Sequence, residues 1–411
     1  MPASQTFVIL GASLAGAKAA ETLRAEGFDG RVVLIGEEPA RPYERPPLSK
    51  DYLRGEKGFD DAAVHDEGFY DAKAIELHTS TTATALDPGA SEVALASGEH
   101  IGYDRLLLAT GARPRRLTVP GADLPGVYYL RTVADADALR QSITASSRVV
   151  VIGAGWIGAE VAASARQLGA EVAMVELASV PLERVLGPEV GAIYRDLHAQ
   201  HGVELHFGVG VDSLEGGAAV ETVRLADGTV LSADVVVVGV GVTPRVELAR
   251  GAGLALDNGV AVDEHLASSA PGVYAAGDVA NAFHPLYSTR IRLEHWSAAL
   301  NQGPVAAKNM LGEPTVYDRV PYFFSDQYDL GMEYRGFAPS WDDVLFRGAP
   351  DSGQFIAFWM RQGRVLAAMN ANIWDVGEAL EALIRAEAPL ESARLMDQDV
   401  DLSSLAAPPT S

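Results

Sequence analysis

Two glycine cassettes carry the residues best suited to chemistry in this chain. The first reads Val8-Ile9-Leu10-Gly11-Ala12-Ser13-Leu14-Ala15-Gly16. The second, 142 residues later, reads Val150-Val151-Ile152-Gly153-Ala154-Gly155-Trp156-Ile157-Gly158. Each follows a short apolar run and opens an alanine-rich one. A strand, a tight glycine turn and a helix N-terminus together make a pyrophosphate seat, because backbone N–H groups point at the anion and the helix dipole favours negative charge. An acid stands at the end of the next strand in both copies, Glu37 and Glu176. A carboxylate there accepts from ribose hydroxyls. One cassette is a weak motif, since glycine-rich βα turns occur in other α/β folds; two predict two dinucleotides on one chain. Ser13 replaces the middle glycine of the first copy, where backbone approaches phosphate most closely, and this weakens that motif.

The elements that must position these groups alternate between strand and helix. In the first repeat, a strand at 7–10 leads through the turn to a helix reaching about Glu26. A break at 27–30 follows, then a strand at 31–35 ending in Gly36-Glu37-Glu38. The second repeat has a strand at 148–152, a helix to about Leu168, a stop at Gly169 and a strand at 171–175 ending at Glu176. These are βαβ units. Between them, Arg41–Lys50 is a loop stiffened by prolines in which Ser49 could cap a turn. Tyr103–Ala112 reads as a buried strand ending in small residues, and Arg113-Pro114-Arg115-Arg116 as a linker. A strand is expected at 235–240 and another at 272–280 ending in Gly277-Asp278. A helix around 298–311 closes the nucleotide-binding part. From Tyr317 the pattern changes. Two strands, 354–360 and 364–369, joined through Arg361-Gln362-Gly363, read as an antiparallel hairpin. A helix with Val376, Leu380, Leu383 and Ile384 on one face follows. Residues after Leu405 are expected to fray.

The bulk composition narrows the classes. At 411 residues the chain is too long for one ordinary core. A net charge of −23 argues against nucleic acid or an anionic membrane as partner. No cysteine is present, which excludes a disulfide framework, a protein-ligated iron–sulfur cluster, a zinc–thiolate site and a redox dithiol. The N-terminus lacks the basic region of a signal peptide, and the longest conspicuous apolar run, Val235–Val242, is far short of a membrane span. A cytoplasmic protein is expected. His198, His201 and His206 straddle a helix end and a strand; a solvated helix end is the better account of them than a metal, and no metal site is expected.

With these motifs in hand, the chain resembles the FAD-dependent, NADH-dependent ferredoxin reductases of bacterial oxygenase systems, within the glutathione-reductase-like flavoproteins that carry two dinucleotide domains. The resemblance spans nearly the whole chain. Its markers are both cassettes, Arg45-Pro46-Pro47-Leu48-Ser49-Lys50, Leu108-Ala109-Thr110-Gly111, Tyr129-Leu130-Arg131-Thr132, Ala276-Gly277-Asp278 and Ser325-Asp326-Gln327-Tyr328. It implies an α/β fold of two Rossmann-like domains plus a C-terminal α+β domain that covers the flavin. The FAD domain would be discontinuous, 1–112 and 245–316, the NAD domain 113–244 and the C-terminal domain 317–411.

The resemblance also implies site residues. FAD would contact Gly11, Ser13, Leu14, Ala15 and Gly16, with Ala15 at the pyrophosphate and Glu37 at the adenosine ribose. Ala83 would lie at the adenine side, Arg131 on the pyrophosphate, Asp278 on the ribityl chain and Trp296 at the dimethylbenzene or pyrimidine edge, with Gly277 also in contact with FAD. Arg45, Ala109, Thr110 and Gly111 complete this set. NADH would lie on Gly153, Gly155, Trp156, Ile157, Gly158, Glu176, Gly239, Val240 and Gly241. Lys50 would stand by flavin N5, paired with Glu160, which also reaches the nicotinamide. By residue type alone Lys50 is a solvated loop lysine, Glu160 a helix-surface acid, Arg131 a surface arginine before a helix cap and Asp278 a turn former. Trp156 either shields the nicotinamide or packs in a core. Phe324 stands where relatives have tryptophan. Glu176 repels a 2′-phosphate and no arginine follows until Arg184, so NADH is expected over NADPH.

The activity implied is electron transfer from NADH through FAD to a 2Fe–2S ferredoxin, which feeds a cytochrome P450 or a ring-hydroxylating dioxygenase, the chain being a monomer or weak homodimer. A rubredoxin is the alternative carrier. A redox-dependent interaction flavoprotein like apoptosis-inducing factor is the alternative class. Oxidases, peroxidases and disulfide reductases on this scaffold need cysteine. An acidic carrier meeting this acidic chain calls for a local basic patch, for which Arg290, Arg292 and Arg335 are candidates.

Overall fold

Runs such as Phe7-Val8-Ile9-Leu10 and Val235-Val236-Val237-Val238 have no polar face, so they belong in sheets covered on both sides. The computed structural model describes residues 5–406 and places them there: Val8, Ile9, Val236 and Val237 are fully inaccessible. The chain packs as two units. The first comprises residues up to Glu44, Phe59–Arg113 and Val242–Pro321; the second comprises Arg45–Gly58, Pro114–Gly241 and the residues from Tyr322 onward.

In the first unit five parallel strands lie in the order Val273–Ala275, Arg105–Leu108, Thr6–Leu10, Arg31–Ile35, Ile75–His78. The helix Leu14–Ala25 buries Ala17, Ala19, Ala20 and Leu23. A second helix, Trp296–Met310, packs on it backbone to backbone: a Cβ on Gly303 would stand 2.3 Å from the Ala15 carbonyl oxygen. A small antiparallel sheet of Ala83–Asp87, Glu92–Leu95 and His100–Gly102 hangs from this frame.

The second unit repeats the plan. Its parallel strands run Glu204–Phe207, Glu171–Glu176, Arg148–Ile152, Val235–Val238, Val127–Tyr128, with the helix Trp156–Gln167 after the glycine turn and a three-stranded antiparallel sheet from Val211 to Ser232. It also holds an antiparallel sheet ordered Tyr322–Gln327, Leu330–Gly336, Arg364–Ala371, Gln354–Arg361, Asp343–Ala349. The expected hairpin is present. Gln362 (φ 50°) and Gly363 (φ 73°) make a two-residue turn of the primed kind that suits twisted strands. The expected apolar face lies on the helix Gly377–Ala386, with Leu380, Leu383 and Ile384 buried.

The expected fold class is borne out: two Rossmann-like units and an antiparallel C-terminal sheet. Packing draws the boundaries otherwise than 1–112 with 245–316, 113–244 and 317–411. Leu186, Val190 and Tyr194 of the helix Glu183–Gln200 share one core with Phe323, Phe355 and Trp359, so the second repeat and the C-terminal sheet form a single unit. The strand expected at 235–240 stops at Val238, because the chain turns at Gly239 to meet Gly153. The fraying expected after Leu405 falls, from residue 407, outside the described residues, as do the first four residues of the stretch read for a signal peptide. No helix among the described residues is long and apolar enough to cross a membrane.

Gly303→Ala should destabilise the protein by about 1–3 kcal/mol, because a backbone carbonyl cannot step aside. Gly251→Ala, in the helix Glu247–Gly251 with no atom within 4 Å of the new Cβ, should be neutral or stabilising. Denaturant midpoints of the two variants check the contrast.

Candidate functional site

The two glycine turns have the same construction. Gly11 N–H donates to the Ile35 carbonyl and Gly153 N–H to that of Val175, both at 2.8 Å. A Cβ on Gly16 would come within 2.0 Å of the Gly11 carbonyl oxygen, and one on Gly158 within 1.9 Å of that of Gly153. Helix and strand therefore meet at a spacing that no side chain permits. The middle position differs. Ser13 and Gly155 are the N-caps of their helices and neither supplies a side-chain cap, while a Cβ on Gly155 would meet nothing within 4 Å. By contrast, the helix Val133–Ser142 closes its first turn with a full capping box between Thr132 and Asp135. Two helix N-termini are thus left without a side-chain cap, the second beside open space at Gly155, which fits an anionic diphosphate.

In the first unit the expected FAD residues gather at the C-terminal ends of the strands. Leu14, Ala15 and Gly16 form the first helical turn, and a Cβ on Gly277 would lie 3.3 Å from that of Ala15. Gln302, itself buried, accepts from Gly277 N–H at 2.8 Å and so fixes the segment that carries Asp278. Ala109 N–H donates to the Leu10 carbonyl at 2.7 Å. Thr110 Oγ1 donates to the Arg245 carbonyl at 2.8 Å, and Arg245 N–H to that of Gly111 at 2.9 Å. Glu37 is engaged by Arg245, whose Nη2 donates to its Oε1 at 2.8 Å. Ala83 begins its strand two residues after Thr81, whose N–H donates to the Gly36 carbonyl. Trp296 opens the second helix next to His295, which burial pushes down to about 4 against the opposing charge of Asp278. Burial raises the Glu44 carboxyl, with Trp296 opposing.

The second unit holds the remaining residues. A Cβ on Gly153 would lie 2.5 Å from the Gly239 carbonyl oxygen, and Arg115 N–H donates to that of Gly241. Between them Val240 is half-buried and Ile157 is exposed at the turn. Glu176 accepts from Ala154 N–H at 2.7 Å and from Ala178 N–H at 3.1 Å, so it braces the turn. Arg45 donates to the Arg131 carbonyl, and both arginines line a cleft with Leu48, Ser49, Leu130 and Ile157.

Lys50 and Glu160 are neither a solvated lysine nor a surface acid. They meet at 3.0 Å, with side chains 9% and 8% exposed. Two hydroxyls complete the carboxylate's partners: Ser49 Oγ donates to Oε2 at 2.5 Å and Ser325 Oγ to Oε1 at 2.7 Å. Ser164 Oγ in turn donates to the Ser49 carbonyl at 2.7 Å. The Phe324 ring lies 5.5 Å from the ammonium. A charge withdrawn from water needs such compensation. Trp156 stacks edge-on against Phe323 and Tyr194, which is core packing.

Three expectations are corrected. Ser49 ends a short 3-10 turn and does not cap one, because its hydroxyl points to Glu160. His198 is fully buried rather than solvated. It bonds Gln327 and Tyr328, while His201 stacks on Tyr328 and His206 pairs with Glu204. The basic patch is not formed as expected: Arg292 and Arg335 are 7% and 15% exposed and pair with Glu294 and Glu333, while Arg290 is exposed but donates to the Val262 carbonyl. Sequence reasoning also passed over Gln302, Arg245, Ser164 and the roles of Ser49 and Ser325. Ser49 and Ser325 alone carried a signal, their places in two marker motifs. Among the described residues no cluster of ligands could hold a metal ion.

Burial holds His198 at about 4, so its neutral form favours the fold. The contribution is complete above the ordinary value of 6.5 and is lost as pH falls toward 4. His198→Asn should flatten the fall in unfolding free energy over that window, leaving the slope due to His295; denaturant titrations across it check this.

Residues 5–303 match the pyridine nucleotide-disulphide oxidoreductase family and residues 322–406 the reductase C-terminal family. The chain is 41% identical over 404 residues to the ferredoxin–NAD(+) reductase component of the anthranilate 1,2-dioxygenase system of Burkholderia cepacia, covering 97% of this chain and 98% of that one. It is 39% identical over 400 residues to rhodocoxin reductase of Rhodococcus erythropolis, covering 97% and 93%. Among solved structures, the covalent putidaredoxin reductase–putidaredoxin complex contains a chain that superposes with a TM-score of 0.95 at 36% identity, over 98% of each. The chain belongs to the pyridine nucleotide-disulphide oxidoreductase family, as one of its FAD- and NADH-dependent ferredoxin reductases.

Proposed function

We propose that this chain takes electrons from NADH, passes them through FAD and delivers them singly to a 2Fe–2S ferredoxin that serves an oxygenase. Per turnover, NADH and two oxidised ferredoxins yield NAD⁺, two reduced ferredoxins and one proton. FAD supplies the conversion of an electron pair into two single electrons; the chain supplies alignment and exclusion of water. The observation that carries the reading is the pairing of two uncapped glycine turns with a buried Lys50–Glu160 pair in a chain without cysteine. The missing thiols remove the disulfide chemistry of the family name.

Residue roles follow from this reading. The first turn, Gly11 to Gly16, holds the FAD pyrophosphate, with Glu37 at the ribose and Asp278 at the ribityl hydroxyls. Arg131 and Arg45 offer guanidinium donors to phosphate. Gly153 to Gly158 and Gly239 to Gly241 hold NADH, with Glu176 on its ribose. Lys50 places positive charge where the flavin gains electrons, and Glu160 fixes Lys50 and reaches the nicotinamide amide. FAD is assigned to 1–112 and 245–316 and NADH to 113–244. A cytoplasmic monomer or weak dimer fits the composition. The relatives' names favour a dioxygenase or P450 system as destination.

NADH-driven reduction of cytochrome c should depend on an added ferredoxin and should be fastest with one encoded beside this gene. Acceptance of rubredoxin alone would shift the carrier. Slow, oxygen-limited turnover with every carrier would favour the interaction flavoprotein. Lys50→Met should slow flavin reduction by NADH about 10-fold or more with FAD still bound; an unchanged rate would remove Lys50 from the mechanism. The specificity constant for NADH should exceed that for NADPH by about 10-fold or more, and equal values would refute the role given to Glu176.

A further inference from the structure

The strand Tyr322–Gln327 places Ser325 and Gln327 against the second cassette helix. Its alternation puts Phe323, Ser325 and Gln327 on one buried face, at 7%, 1% and 1% exposure. The helix Trp156–Gln167 answers with Trp156 and Glu160, one turn apart. Phe323 packs on Trp156 at 4.8 Å between ring centroids, and Ser325 bonds Glu160 at 2.7 Å. Four helical residues rise roughly 6 Å and two strand residues roughly 6.6 Å, so the two repeats keep step. The strand is a ruler laid along the helix.

Behind Ser325 the polar chain continues inward. Gln327 Nε2 donates to Ser325 Oγ at 3.3 Å, Gln327 Oε1 faces His198 Nε2 at 2.9 Å, and Tyr328 OH faces His198 Nδ1 at 3.2 Å. The hydrogens have one consistent arrangement. Ser325 has a single proton, and the Glu160 carboxylate, which only accepts, takes it. The Ser325 oxygen must then accept from the amide NH₂ of Gln327. That turns the amide oxygen to His198, whose proton is therefore on Nε2. Nδ1 is left to accept from Tyr328. Donation runs in one direction, from Tyr328 to Glu160.

We infer that Ser325, Gln327 and His198 are positioning residues for the hydride-transfer step: they hold Glu160 Oε1, which leaves Oε2 facing Lys50 and Ser49, and so set the place of the Lys50 ammonium. This rests on the reading that Lys50 and Glu160 serve that step. Without the Ser325 hydroxyl, Oε1 is a buried acceptor lacking its donor, and the carboxylate turns to recover one. Lys50, which it anchors, moves with it.

The test uses the FAD-loaded full chain and stopped-flow reduction by NADH. Ser325→Ala should lower the saturated rate of flavin reduction about 10-fold while the NADH concentration giving half that rate stays within about twofold. Ser325→Thr, which keeps the hydroxyl, should restore most of the rate. In a Lys50→Met background Ser325→Ala should cause a much smaller further loss, because most of the effect passes through Lys50. Gln327→Met should lower the rate in the same sense, and it carries the test if Ser325→Ala does not fold. A wild-type rate in Ser325→Ala, or an equal loss with and without Lys50, would overturn the inference. A wild-type rate in Lys50→Met would instead sink the reading beneath it.

Discussion

The structure depends on a distance that only glycine allows. Helix and strand touch through bare backbone at Gly158 on Gly153 and at Gly16 on Gly11, with no room for a methyl group. That approach forces each helix to begin at the end of its sheet, and it leaves the first helical N–H groups facing outward without a side-chain cap. A fold that wanted only stability would cap them, as Thr132 and Asp135 do for the helix Val133–Ser142. The cassettes lack that stabilising contact. The same economy recurs at Gly303, where two helices close on one another through the Ala15 carbonyl.

A second constraint is electrostatic. Burying Lys50 with Glu160 gives little stability, since the attraction is offset by the loss of water around both charges. Such pairs persist where their placement matters. Here one carboxylate collects an ammonium and two hydroxyls drawn from a proline-stiffened loop and a distant strand. These partners bind the loop at Ser49, the cassette helix and the C-terminal sheet into a single unit, so the sheet helps to build the surroundings of the pair.

How much of this was legible in the sequence varies with the physics. The cassettes, both parallel sheets and the hairpin could be read because they rest on local rules: glycine at fixed spacing, runs of β-branched residues, a two-residue turn. The Lys50–Glu160 pair was legible only through resemblance, because its residues lie 110 positions apart. Ser49 and Ser325 stand 111 and 165 positions from Glu160, and a serine has no pattern that foretells a buried carboxylate partner. Arg292 and Arg335 misled because counting charge does not see burial. His198 misled because a place near a helix end says nothing of a strand packed over it. Long-range packing is what local patterns omit.

The central claim is that the two turns seat two different dinucleotides. Ser13 and Gly155 both have backbone angles open to any residue, φ −121° and −74°, so a carboxylate can be placed in either seat without straining the turn. The decisive measurement is FAD content and anaerobic bleaching by NADH for Ser13→Glu and Gly155→Glu. Ser13→Glu should fold but load no FAD, while Gly155→Glu should hold one FAD per chain that NADH no longer bleaches. A fully flavinylated Ser13→Glu, or a Gly155→Glu that NADH bleaches as fast as the parent, would contradict the account.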